Sequence, residues 1–516
     1  MPHPSLYDTL PPLSEQLQAL IQQGWEQEVL SQLPADYEQQ ARHTRAFVRV
    51  RGLACVGDLL RGLLAYVLCA PSLRHLGAWA VLIGLADLSH VAWQKRLRAA
   101  RAFLLWLLAE LLAVPRAPGV ARAPRIVLVD ATRLKEPGGT GDDWRVHLGY
   151  DLLGGRLLDV KVSDRHTAEG FTLFCWQAGD IVVADRGYSR RRQLAFVLQA
   201  GAQVVVRLAV HQVPLLDERG EPLDVLAWLK QQSSAPHSCP VAFEHQGQRF
   251  VGRLIACPLP EEAARRARAK ERKKAAKQQR QLKEGTLFLC GWLLLFSSLA
   301  PPQWSDAQVL ALYRARWQIE LVIKRMKQAL RLAQVRGRTA LTNEATILAA
   351  LLAWALQQTE VQAARLLLTQ AAQDWACSQS ATQDSDPLNY RAFGESACPA
   401  DGQALPRRTS PTPCQADPPH NPLLERDSAP LPPSAASLPT VSSWSVTVLA
   451  VQTLRQLVQG WWTFARLRAC LPHLQRYLCS RRRQRDHQES TIRRQLLLQL
   501  GLVDQDASRF FFCSSA

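Results

Sequence analysis

Five short β-branched runs, crowded between residues 126 and 209 of an otherwise helix-textured chain, limit the folds open to this sequence more than any other feature. They are IVLVDAT (126–132), WRVHLGYDL, RLLDVKVSD, DIVVADRGY (180–188) and AQVVVRLAV. Runs of this kind, bounded by turn residues, read as strands. Gly154-Gly155 lies between the second and third and marks a hairpin. EGFTLFCWQAG has the texture of a helix, and RRRQLAFVLQAG reads as a helix closed by Gly201. The order is three antiparallel strands, helix, strand, helix, strand, which predicts a mixed α/β sheet.

The flanks differ. Residues 1–118 repeat apolar positions at three- and four-residue spacing and read as all helix. Within them SLRHLGAWAVLIGLADLSHVAWQKRLRAARAF suggests helix, turn, helix, punctuated by Gly84 and Asp87, with Ser89 placed to cap the second helix. That second helix carries Lys95, Arg96, Arg98 and Arg101. A DNA-reading helix and an ordinary helical hairpin with a solvated basic face fit this pattern equally. Residues 210–300 look like a β-rich insertion, with strand-like FEHQGQRFVGRLIAC and GTLFLCGWLLLF around EEAARRARAKERKKAAKQQRQLKE. The charged stretch holds ten Lys/Arg and four Asp/Glu, which is usual for a solvated helix face but also suits an arm that tracks phosphates.

A long helix is expected over DAQVLALYRARWQIELVIKRMKQAL (306–330), with more helix to about 376. Residues 377–443 are rich in Pro, Ser, Asp and Gln and read as a disordered linker. Helix returns in 444–516, with a basic cluster at Arg481, Arg482, Arg483 and Arg485. The expected domains are therefore 1–118, 119–376, the linker 377–443 and a C-terminal helical region 444–516.

Lys plus Arg number 62 against 44 Asp plus Glu, a formal charge of +18 that favours a polyanionic partner. Twelve cysteines show neither a CxxC pair nor zinc-ligand spacing, as expected of a reducing compartment. The apolar runs 103–114 and 287–300 fall short of the roughly 20 residues that span a bilayer. MPHPSLYDTLPPL has neither the basic start nor the apolar core of a signal peptide. A cytoplasmic protein with no membrane partner is the expectation.

Three acids stand out by position. Asp130 and Asp185 end two strands, and Glu320 lies on the long helix. If the first and fourth strands are neighbours, the two aspartates come side by side and repel unless a cation lies between them. Hard oxygen donors of this kind suit magnesium or manganese. A turn or cap role is the ordinary reading of any one such aspartate taken alone. On the helix, Tyr313, Arg316 and Lys327 stand seven and four residues before Glu320 and seven after it, so all four share one face. An amphipathic helix with an internal Arg–Glu pair has the same pattern.

The segment YRARWQIELVIKRMK resembles the Tyr-x2-Arg-x3-Glu-x6-Lys signature of DDE transposases of the bacterial insertion-sequence family numbered four, and VDAT and ADRGY resemble its two aspartate motifs. The resemblance covers about 119–345 and is weaker in the N-terminal helices. It implies a ribonuclease-H-like core interrupted by a β-rich insertion, with Asp130, Asp185 and Glu320 as catalytic ligands of two Mg2+ (or Mn2+) ions. Tyr313, Arg316 and Lys327 would grip the DNA backbone near the cut. Trp292 in the insertion would stack on an extruded base, although its Leu and Phe neighbours fit a core tryptophan as well. Lys95, Arg96 and Arg98 are the candidate DNA contacts of the N-terminal region.

The implied activity is cut-and-paste transposition. Hydrolysis exposes a 3′ hydroxyl, which forms and then opens a hairpin before strand transfer. The implied partners are the element's terminal inverted repeats and target DNA, bound by a homodimer close to the nucleoid. A DNA-binding repressor that does not cut, and a nuclease with the same core that does not join strands, are the alternatives.

Overall fold

The computed structural model describes residues 23–69, 72–113, 125–139, 143–232, 235–332, 335–337, 339–358, 361 and 443–459. The expected linker, apart from its last residue, and the basic cluster at Arg481–Arg485 lie outside them. An eight-stranded sheet organises these residues, in the order β3-β2-β1-β4-β5-β8-β7-β6. Its first five strands follow the sequence expectation closely: β1 (Ile126–Leu134), β2 (Trp144–Asp151), β3 (Arg156–Asp164), β4 (Ile181–Ala184) and β5 (Gln203–Arg207). β1 pairs antiparallel with β2 and parallel with β4, and β4 pairs parallel with β5. A mixed sheet of this order is compatible with a DDE core of ribonuclease-H type.

The segment 210–300 supplies the other three strands. β6 (His237–His245) and β7 (Gln248–Pro258) form a hairpin, and β8 (Trp292–Ser297) joins β7 to β5, antiparallel to both. These strands thus extend the central sheet itself.

Both faces of the central strands are covered, which explains their nearly unbroken apolar runs. Alternation sends Ile126 and Leu128 to one core, and Val127 and Val129 to the other. In β4, Ile181 and Val183 share the first core, Val182 and Ala184 the second. The first core also contains the N-terminal helices, the helices of residues 306–330, the helix 340–358 and the helix Ser443–Gln459. The second contains Arg191–Gln199 and Val225–Lys230.

The helix Ser443–Gln459 packs on Val56–Leu68 through Val446, Val451, Leu454 and Val458, all buried. Arg61 donates from Nε to the Val458 carbonyl at 2.9 Å, and Arg455 donates to the Ala329 carbonyl at 2.7 Å. Chain from beyond the expected linker is therefore fastened to the same core as residue 329.

Local sequence signals failed in three places. EGFTLFCWQAG holds only a three-residue 3-10 turn, Phe171–Leu173, because Trp176 packs edge-on against Phe171 and tilted against Phe174, and Phe171 against Tyr188, instead of following a helical stripe. GTLFLC forms the short helix Glu284–Leu289, and the strand begins only at Trp292. The long helix of 306–330 is two helices, Asp306–Ala315 and Trp317–Leu330, meeting at Arg316. Arg316 keeps right-handed helical angles (φ −53°, ψ −28°), so the direction is preserved across the junction.

At the end of the sheet away from the acids, Arg125 closes a two-pronged pair with Asp180, Nε to Oδ1 at 2.7 Å and Nη2 to Oδ2. Asp180 is almost fully buried, and it also accepts from the Gln177 amide at 3.0 Å. This pair holds the starts of β1 and β4 together. Arg125→Ala is expected to lower unfolding free energy by about 2–4 kcal/mol, since it strands a buried carboxylate. Arg125→Lys should recover only part, having no planar fork. Denaturant unfolding of the three proteins measures this, and an unchanged midpoint for the alanine variant would count against the pair's role.

Candidate active site

The β1–β4 register runs Ile126↔Ile181 to Val129↔Ala184, so the next step sets Asp130 beside Asp185. Neighbouring strands lie about 4.8 Å apart, so the two aspartates are brought together by the sheet. Asp130 has the parity of Leu128, and Asp185 that of Val183, so both point to the first core's side. The Glu320 helix packs on that same side: Ile319, Val322, Met326 and Leu330 are buried in the first core, and the helix touches β1.

The helix face expected from sequence meets the aspartates. Tyr313 donates its hydroxyl to Asp185 Oδ1 at 3.2 Å. Arg316 donates to Glu320 Oε1 at 2.6 Å, and its other terminal nitrogen lies 3.9 Å from Asp130 Oδ2. Asp185 also acts on this guanidinium electrostatically. One cation is thus flanked by all three acids. Lys327 reaches β1 further along, donating to the Arg133 carbonyl at 3.0 Å. Asp130, Asp185 and Glu320 are therefore linked through Arg316 and Tyr313, and Lys327 lies further along the same helix.

The electrostatics follow from burial. Desolvation pushes the Asp130 carboxyl up to about 6, and Glu320 and Glu169 add to the rise, against the Ala131 amide and Arg316. Tyr313 is pushed up to about 12 by burial and by Asp185 beside it. His147 lies fully buried against Ser163 and is pushed down to about 4, chiefly by burial. Burial thus favours its neutral form.

Other candidates stand elsewhere. Trp292 is half-buried at the start of β8, its ring 6.3 Å from that of Phe288. The charges of Arg186, Arg207 and Arg268 act on Cys290, two residues before it. In the N-terminal region, Ser89 caps the helix His90–Ala99 as expected, by accepting from the Ala92 amide. Arg96 donates to the Arg51 carbonyl, and Arg98 donates to Thr342 Oγ1 at 3.0 Å. Both are engaged within the chain, while Lys95 is exposed.

One residue escaped the sequence reading, Arg207; a second, Glu169, is one of several acids in the first part of the core (with Asp142, Asp143, Asp159 and Asp164) that read as helpers of the site only second to a surface or turn role. Arg207 ends β5 one step beyond Ala184↔Val206, in line with Asp185, and its charge acts on Tyr313. An arginine closing the strand-like AQVVVRLAV was the available signal. Glu169 lies close enough to Asp130 to raise its pKa. A single acid in a loop carries no pattern that would single it out.

Among the described residues no three acids close a ready-made metal-ligand group. The donor set nevertheless fits a hard divalent cation, being carboxylates crowded around a positive charge. Arg316 occupies that electrostatic role here. Folded Asp130 keeps a proton, between about pH 3.8 and about 6, that the unfolded chain has lost. Its contribution to stability is full below the lower value and is lost as pH rises through the upper one. Asp130→Asn is therefore expected to stabilise the metal-free protein by about 2–3 kcal/mol at pH 8 and by little at pH 4. Denaturant unfolding at both pH values tests this, and equal gains at both would contradict it.

Known proteins bear on this geometry. The family described as "Transposase DDE domain" matches residues 121–356, which span Asp130, Asp185 and Glu320. The transposase for insertion sequence element IS421 of Escherichia coli is 34% identical over 332 residues, covering 62% of this chain and 89% of that protein. InsL of insertion sequence element IS186A of Escherichia coli K12 is 34% identical over 328 residues, with the same 62% and 89% coverage. The chain therefore belongs to the DDE transposases of insertion sequences, of the family-four type, and it is a DNA transposase, an enzyme of phosphodiester cleavage and joining.

Proposed function

We propose that Asp130, Asp185 and Glu320 form the single site at which this transposase cuts the ends of its element and joins them to target DNA. The observation that carries the reading is the meeting of all three acids around Arg316, from two adjacent parallel strands and one helix. Two magnesium or manganese ions held there would polarise the phosphodiester and ready a hydroxyl for in-line attack. On that reading Arg316 turns from the carboxylates to phosphate oxygens once a divalent cation supplies the positive charge. Arg207 offers a second guanidinium from the end of β5, and Lys327 a point charge further along the helix. Tyr313 keeps Asp185 oriented through its hydroxyl.

Double-stranded DNA, in the form of terminal inverted repeats and target, is the proposed substrate, and two ends brought together require a dimer of this chain. The helix Glu261–Lys277 presents Arg265, Lys270, Arg272, Lys273, Lys274 and Lys277 to solvent. It serves as an arm on the DNA backbone, and Trp292 as a stacking surface for an unpaired base. Lys95 is the member of the N-terminal basic set best placed to meet DNA. Residues 1–118 act as the end-binding region and 444–516 contribute to pairing of protomers.

The deciding experiment uses a duplex carrying the element's own inverted repeat. Wild type is expected to nick and join it only with Mg2+ or Mn2+. Asp130→Asn, Asp185→Asn and Glu320→Gln should each lose more than about 100-fold in cleavage while binding the duplex. Binding without cleavage by wild type would favour the repressor, and cleavage without joining the nuclease. Separately, reversing Arg265, Lys273 and Lys277 to Glu should weaken binding of unrelated duplexes and flatten its salt dependence by about three counterions. An unchanged slope would remove the helix from the DNA path.

A further inference from the structure

A fourth carboxylate stands at the edge of this site. Glu169 lies between β3 and β4, and its side chain is 29% exposed. Its Oε2 lies only 3.1 Å from the point where a Cβ on Gly187 would project, and Gly187 is two residues beyond Asp185. Glu169 is held from behind. Arg145, 13% exposed on β2, approaches its Oε1 at 4.0 Å while donating to the Thr167 carbonyl at 2.6 Å. The guanidinium thus braces the loop that carries Glu169 and sets its carboxylate toward the Asp185 turn.

A second observation points into the same spot. Tyr188 is 1% exposed, and its hydroxyl has no hydrogen-bond partner among the described residues. A buried hydroxyl without a partner is uncommon and points to a ligand that completes it. The charged groups acting on this hydroxyl are Asp130, Glu169, Arg145 and Asp185. Its ring is fixed by Phe171, centroids 5.0 Å apart, and its backbone by the turn amide bonded to the Asp185 carbonyl at 3.1 Å. The ring belongs to the second core, and the hydroxyl is held rigidly near the ends of β1 and β4, within electrostatic reach of both aspartates and of Glu169.

We propose that Glu169 is a positioning residue of the divalent-cation site, a fourth negative charge that together with the Tyr188 hydroxyl orders the hydration of a cation held by Asp130, Asp185 and Glu320. This inference rests on the reading of those three acids as the cation site. Magnesium and manganese keep several waters when protein-bound, and groups that hold those waters strengthen binding without touching the ion. A side chain at 187 would press on the Glu169 carboxylate and shift it by a few tenths of an ångström.

The test is Mn2+ titration of the full-length protein by electron paramagnetic resonance, with no DNA and no turnover. Glu169→Gln is expected to weaken Mn2+ affinity by about 10–100-fold at unchanged melting temperature. Tyr188→Phe should weaken it severalfold. Gly187→Ala keeps every acid, displaces only the Glu169 carboxylate, and should also weaken affinity severalfold; it decides the matter if Glu169→Gln does not fold. Asp185→Asn serves as the reference. If Asp185→Asn loses Mn2+ while Glu169→Gln and Gly187→Ala bind as wild type does, the role of Glu169 is overturned and the three-acid site stands. If Asp185→Asn itself binds Mn2+ normally, the three-acid site falls, and this inference with it.

Discussion

Crowding of like charge at the ends of two parallel strands is the constraint around which the rest of this chain is arranged. Asp130 and Asp185 are brought together by the β1–β4 register, and that register is locked at its far end by Arg125 and Asp180. Sliding β4 by one residue would turn its whole apolar set to the wrong layers, because Val182 and Ala184 fill one core and Ile181 and Val183 the other. The two cores together therefore hold the aspartates against their own repulsion. Packing of ordinary apolar residues thus supplies the work of bringing two like charges together.

Much of this was legible in the sequence, and the reason is locality. The β-branched runs of β1 to β5, the Gly155 turn and the Gly201 helix end are short-range signals that tertiary structure had no cause to override. The Tyr313–Arg316–Glu320–Lys327 spacing placed four side chains on one helix face, and the structure keeps that face despite the break at Arg316. What was not legible depends on distant partners. Nothing local tells that β8 pairs with both β5 and β7, since such pairing is written in two remote segments at once. Nothing local distinguishes Glu169 from the other acids of its region, because its meaning comes from Arg145 and Gly187 across the fold. The failed helix at EGFTLFCWQAG has the same origin: its aromatics answer to Tyr188 and to one another.

The return of the chain at Ser443–Gln459 shows how a long intervening segment is tolerated. Closure entropy grows only with the logarithm of loop length, by about 0.6 kcal/mol per doubling. A helix that buries Val446, Val451, Leu454 and Val458 and donates through Arg455 to the Ala329 carbonyl offsets such a term readily. The consequence reaches the site, because residue 329 belongs to the helix that carries Glu320. The helix that carries Glu320 is thus braced by chain from the far side of the expected linker.

Arg316 resolves a difficulty that any such site meets before its cation arrives. Three carboxylates brought close together must fold against their mutual repulsion, and desolvation alone already raises Asp130 toward neutrality. A lysine would neutralise them as a point charge, but the planar fork of arginine touches Glu320 and approaches Asp130 at the same time. The same side chain is thus the positive charge shared by the acids in the free protein and, on the proposed reading, the one released to a phosphate. On the proposed reading the affinity for a divalent ion is a difference, namely how much more strongly the acids hold the ion than they hold Arg316.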